Sequence, residues 1–182
     1  MAGCILRDGT VKASTDASKD PKVLGVKAEG KEGMRLVEAV VDSGAEGSVA
    51  QPNHFPGDLL PSAMSESGEN FRAANGTPIP NLGQKDVDFC VDEGYDCGIT
   101  FQCAEKIDRP LIAVTQLCDA GNDVFLGKTS GKIVNQRTRK AIHLLRRGGT
   151  YILRMWVKDP TYKKPADKVA PKKSSGFPGP GK

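Results

Sequence analysis

Val40-Val41-Asp42-Ser43-Gly44-Ala45-Glu46-Gly47-Ser48-Val49-Ala50 is the stretch on which the reading of this chain turns. Residues 34–41 lead into it as an extended apolar run. Successive side chains of a strand alternate, so Val37, Ala39 and Val41 share one face and Leu36, Glu38 and Val40 the other. Asp42 therefore leaves the end of a largely buried strand. A carboxylate there loses solvation, and the small residues after it let backbone N–H groups approach its oxygens and restore what was lost. Such a group is positioned for use. Asp-Ser-Gly is equally the composition of an ordinary turn, and the residues alone leave both readings open.

Outward from this stretch the chain reads as short strands. Residues 23–28 are extended and 29–33 form a glycine-bounded turn, which predicts a hairpin with residues 34–41. A proline-rich loop follows over 51–61. Phe71-Arg72-Ala73-Ala74 leads to the tight-turn pair Asn75-Gly76 and returns through Thr77-Pro78-Ile79-Pro80 toward Leu82-Gly83; its two prolines lack ladder donors, so this hairpin is not central in a sheet. Residues 87–91 and 97–103 alternate like half-buried antiparallel strands around a turn at 92–94. Leu111, Val114, Leu117 and Cys118 have helical spacing, with Gly121 placed to end the turn, and they predict the chain's one helix. Residues 124–126, 132–134, 141–145 and 151–157 read as further strands, with Gly148-Gly149 at a turn.

Composition agrees and excludes other classes. The chain has 182 residues, 21 of them Gly, with 5% aromatics, which favours a turn-rich β protein over a helical bundle. Five cysteines without a CxxC pair, and two histidines far from them, predict no metal and no cofactor and suit a reducing compartment. No apolar run reaches the ~20 residues that span a bilayer, and no leader pattern opens the chain, so no membrane contact and an intracellular, cytoplasmic location are expected. The net charge of +4 resides in residues 158–182, which hold seven Lys and two Asp. That segment is expected to be a disordered Lys/Pro-rich tail, touching nucleic acid weakly if at all. Gly121 to Thr129 imitates a phosphate-binding loop but has five residues between its glycines instead of four, and apolar residues where the cradle should be.

The string hydrophobic-hydrophobic-Asp42-Ser43-Gly44-Ala45-Glu46-x-Ser48-Val49 resembles the active-site loop of retropepsins, the retroviral-type aspartic proteases. Residues 71–83, with their Ala-Asn-Gly turn and later Gly83, resemble the flap of proteases from LTR-retrotransposon polyproteins. Arg109-Pro-Leu-Ile-Ala-Val-Thr-Gln-Leu-Cys-Asp-Ala-Gly121, with Val124-Phe125 after it, resembles a Copia-like stretch. The likeness runs from about residue 23 to 157. It implies an all-β, closed retropepsin-like barrel with one short helix in its C-terminal half. Residues 1–20 would be a loose N-terminus, 21–157 the domain with a C-terminal β-hairpin extension, and 158–182 the tail.

The function it implies is an aspartic endopeptidase, acting in polyprotein processing, that cleaves extended peptides. Each chain holds one Asp-Ser-Gly, so a homodimer would bring two Asp42 carboxylates to one water. Ser43, Gly44 and Ala45 would complete the active-site loop, and Glu46, Ala74, Asn75, Gly76 and Thr77 would bind substrate from loop and flap. Asn75-Gly76-Thr77 is also a glycosylation sequon, expected to be unmodified. Retropepsins usually place a hydrophobic-hydrophobic-Gly triplet before the helix. Here Leu111-Ile112-Ala113-Val114 stands there, so either the branched Val114 or a shifted register takes the place of that glycine. The alternative reading is a catalytically silent module of the same fold that dimerises or binds peptides.

Overall fold

The computed structural model describes residues 5–6, 31–72 and 76–164, and of residues 5–6 the backbone only. The strands are β1 (Ile5–Leu6), β2 (Met34–Asp42), β3 (Val49–Ala50), β4 (Asn70–Arg72), β5 (Pro78–Cys90), β6 (Asp96–Ala104), β7 (Leu111–Ala113), β8 (Asn122–Leu126), β9 (Ser130–Asn135), β10 (Ala141–Arg147) and β11 (Thr150–Lys158). Two short helices, α1 (Ala63–Glu66) and α2 (Val114–Asp119), complete the set with one 3-10 turn at Pro52–His54. The described residues are thus mostly β-sheet, as the alternation predicts. None of their helices is long and apolar enough to cross a membrane.

Six strands close into a ring in the order β5-β6-β3-β7-β2-β11, sealed where Trp156 of β11 lies opposite Cys90 of β5. β4 hangs on β5, β1 on β6, and β10-β9-β8 extend from β11. Inside the ring lie Val37, Ala39 and Val41, the face that alternation assigns to the core, together with Phe101, Ile112, Leu117, Leu153, Met155 and Val157. Phe55 stacks on Phe101 at 4.7 Å between ring centres, which brings the proline-rich loop onto the core. Buried Lys85 stitches the same loop down by donating to the carbonyls of Phe55 and Gly57 at 3.1 and 2.6 Å.

β2 pairs antiparallel with β11, in register from Val41 opposite Tyr151 to Met34 opposite Lys158; the hairpin expected with residues 23–28 falls on residues outside those described. Four sequence expectations change here. Leu111 is not helical: Leu111–Ala113 is extended because the end of β2 offers it parallel ladder partners, and the helix starts only at Val114. α1 is a second short helix, capped by Ser62, whose Oγ accepts the Ser65 N–H while Ser65 Oγ faces the Ser62 N–H. Lys158 belongs to β11, and the turn after it packs back: the Asp159 N–H bonds the Gly33 carbonyl at 2.8 Å and Tyr162 OH bonds Glu32. The tail therefore cannot begin at 158, and residues 165–182 lie outside the described residues. Elsewhere β5 is one strand where the sequence suggests two, bent by an irregularity between Asn81 and Gly83.

The seam between β5 and β11 is held by Asp92, in the turn between β5 and β6. Its carboxylate accepts from Trp156 Nε1 at 2.7 Å, Arg154 at 2.8 Å and Lys31 at 3.0 Å. Lys31 also sits 4.1 Å over the Trp156 ring. Next to it, Glu93 accepts the backbone N–H of His143 at 2.7 Å, where β10 splays away from β11. Burial pushes the Asp92 carboxyl up, but the Trp156 and Lys31 hydrogen bonds and the charges of Arg154 and Lys31 outweigh it, so its pKa lies below the ordinary value. A carboxyl held lower in the folded state stabilises the fold fully above its unfolded pKa and ceases to do so as pH falls through the folded one. Asp92→Asn is therefore expected to lose about 1 kcal/mol at neutral pH, as fits a partly exposed cluster. Urea titrations should show the two proteins converging below the ordinary carboxylate range; an equal gap at neutral and strongly acid pH would refute this.

Candidate active site

Asp42 is the last residue of β2, and the parallel ladder sets it opposite Ala113, the last residue of β7. At this point both strands stop: β2 runs into the loop of residues 43–48 and β7 into α2. The loop curls back so that the Gly44 N–H donates to Asp42 Oδ1 at 2.8 Å. A Cβ on Gly44 would lie 3.4 Å from that same oxygen, an ordinary contact. Asp42 is half-buried, Ser43, Gly44 and Glu46 are exposed, and Ala45 is half-buried. The carboxylate is thus presented, partly exposed, where β2 ends.

The loop returns to the barrel through Ser48, which is only 1% exposed. Its Oγ accepts the Ala113 N–H at 3.1 Å, its N–H donates to Gln116 Oε1 at 3.0 Å, and its carbonyl accepts the Gln102 N–H at 3.0 Å. All three polar groups of Ser48 are therefore used inside the protein, after which Val49 and Ala50 enter the buried β3. Sequence reasoning names Ser48 as part of the string without giving it a role, and it misses Gln116. The only local signal for Ser48 is a small hydroxyl residue just before an apolar pair; Gln116 gives none, since its partner is 68 residues away.

In the parallel ladder the residue opposite Asp42 is Ala113 and not Val114. Ala113 stands beside the aspartate, while Val114 is the first residue of α2 and packs, half-buried, against the core. Val114 does not occupy the position opposite Asp42.

The residues expected in the flap lie on a different element. β4 and the start of β5 pair as a hairpin, Asn70 opposite Pro80 and Arg72 opposite Pro78, at the end of the strand order, as the two prolines require. Gly76, with φ +81°, and Thr77 are exposed at its turn, whereas Ala74 and Asn75 lie outside the described residues. The structure thus brings Asp42, Ser43, Gly44 and Ala45 together with Ala113, Ser48 and Gln116, sets Glu46 on the exposed side of the loop, and leaves Gly76 and Thr77 on a separate hairpin. Among the described residues no group of three or more His, Cys, Asp or Glu side chains is placed to hold a metal ion. No protein-family model, curated protein or solved structure matches the chain.

Proposed function

We propose that the protein is an aspartic endopeptidase of retropepsin type, in which two copies each contribute Asp42 to one site and cleave extended segments of a polyprotein. The observation that carries this reading is the carboxylate at the end of β2, paired with Ala113 and receiving the Gly44 N–H, because this arrangement orients an aspartate and leaves it reachable. One carboxylate cannot both activate water and protonate or polarise the scissile carbonyl, so a second copy is required. Two carboxylates at close range share one proton: the ionised member takes a proton from water and the protonated one polarises the carbonyl. The pair titrates as a unit. Ser43 would link the two loops, Glu46 would meet substrate beside the dyad, and the hairpin bearing Ala74, Asn75, Gly76 and Thr77 would close over the peptide.

A second reading rests on the Ala113 methyl, which stands where the resemblance implies glycine: a silent module of this fold that dimerises or holds peptides without cutting them. The pH profile separates the two. Cleavage of a peptide library should peak in mildly acidic solution and fall on both sides, with specific activity dropping on dilution as the dimer dissociates. A flat profile with undiminished activity in a strictly monomeric sample would sink the two-copy aspartic mechanism. Peptide binding without any cleavage would favour the silent module.

A further inference from the structure

The loop after Asp42 hangs by both ends from one short segment, residues 113–116. At its start, Asp42 lies opposite Ala113 in the parallel ladder. At its end, Ser48 is tied to the same segment twice, through its Oγ to the Ala113 N–H and through its N–H to Gln116 Oε1. The Gln116 amide also lies over Gly47, where a Cβ would sit 3.6 Å from Nε2, so the loop passes close beneath it. The Ala113 tie is made by backbone and a buried hydroxyl. The other tie depends on a single half-buried side chain.

From this we infer that Gln116 is a positioning residue for the Asp42 carboxylate, an inference that rests on the protease reading. Gln116 touches the backbone of the loop and not the carboxylate. Without its oxygen the Ser48 N–H loses its partner, the span of residues 43–47 is free to shift, and the 2.8 Å contact from Gly44 to Asp42 shifts with it. A dyad tolerates little displacement, since misplacement by ~1 Å can cost about 10²-fold in rate.

The test compares wild type, Gln116→Leu, Gln116→Glu and Asp42→Asn by kcat, KM and pH profile on one peptide substrate, with thermal melts to confirm folding. Leucine keeps the bulk and removes the acceptor, and kcat should fall about 10- to 100-fold with KM within about threefold. Glutamate keeps an acceptor for the Ser48 N–H and should retain kcat within about threefold at its own optimum. Its activity is read at its own optimum, because an added negative charge raises neighbouring carboxyl pKa values whether or not Gln116 positions the loop. If the leucine variant fails to fold, Gln116→Met, which also lacks the acceptor, takes its place. A folded leucine or methionine variant with wild-type kcat, or a glutamate variant as impaired as either, overturns the inference. An inert wild type, or an Asp42→Asn variant that cleaves normally, overturns the protease reading itself and the inference with it; these two arms do not involve Gln116, so the two failures are told apart.

Discussion

Asp42→Asn should remove peptide cleavage, by about 10³-fold or more, while leaving the fold in place. The amide matches the carboxylate in shape, and its oxygen can still accept the Gly44 N–H that now reaches Asp42 Oδ1 at 2.8 Å. What it cannot do is ionise, so the proposed dyad would lose the group that takes the proton from water. Melting temperature should stay within about 2 °C of wild type, because no core contact changes. Mixing adds a sharper form of the same test. In an equal mixture of wild-type and variant chains that exchange freely, only about a quarter of dimers hold two Asp42 residues, and activity should fall to that fraction. Cleavage by the variant at the wild-type rate would remove Asp42 from the mechanism. Activity falling only to one half in the mixture would show that each chain works alone.

The largest expected loss of stability lies away from the site, at Gly83. This buried glycine has φ +127°, a conformation that side chains rarely adopt, and a Cβ built there would lie 2.3 Å from the Leu60 carbonyl oxygen. That oxygen accepts the Gln84 N–H at 2.7 Å, and the Leu60 N–H donates back to the Gln84 carbonyl at 2.9 Å. A methyl group must therefore push the backbone at Leu60 away and break this bridge, besides straining its own residue. Gly83→Ala is expected to cost at least about 3 kcal/mol, a fall of roughly 6–12 °C in Tm for a chain of this size. Gly94→Ala is the control, since Gly94 also has positive φ, +81°, but nothing lies within 4 Å of its Cβ position; it should lose only about 1 kcal/mol. Similar losses at both positions would show that backbone conformation alone, without the clash at Leu60, accounts for the effect.

The placement of the candidate site at a strand end was legible because it is local. Asp42, Ser43, Gly44 and Ala45 are consecutive, and the apolar run before them already says that the aspartate leaves a buried strand. Gly83 was visible as a glycine at the end of the flap stretch, but its reason was not, since the colliding carbonyl belongs to Leu60, across the Leu60–Gln84 bridge. Ser48 and Gln116 show the same limit: their bond crosses 68 residues and has no periodic signature. Val114 illustrates how a local rule can mislead. Spacing from Leu111 to Cys118 is helical, yet the first three residues of that span are drawn into a parallel strand by β2, which moves Ala113, not Val114, beside Asp42.

By itself the sequence determined the class of most strand segments, because alternation, prolines and glycine turns act on neighbouring residues. It assigned Val37, Ala39 and Val41 to the core and Asp42 to a strand end. Which strands meet was decided only by the tertiary structure. β2 lies against β11, more than a hundred residues along the chain, and the ring closes at Trp156 and Cys90 under the Asp92 clasp. The physical reason is that strand pairing is chosen by the burial and hydrogen bonding of the whole closed sheet, a sum over distant segments that no local window of sequence contains.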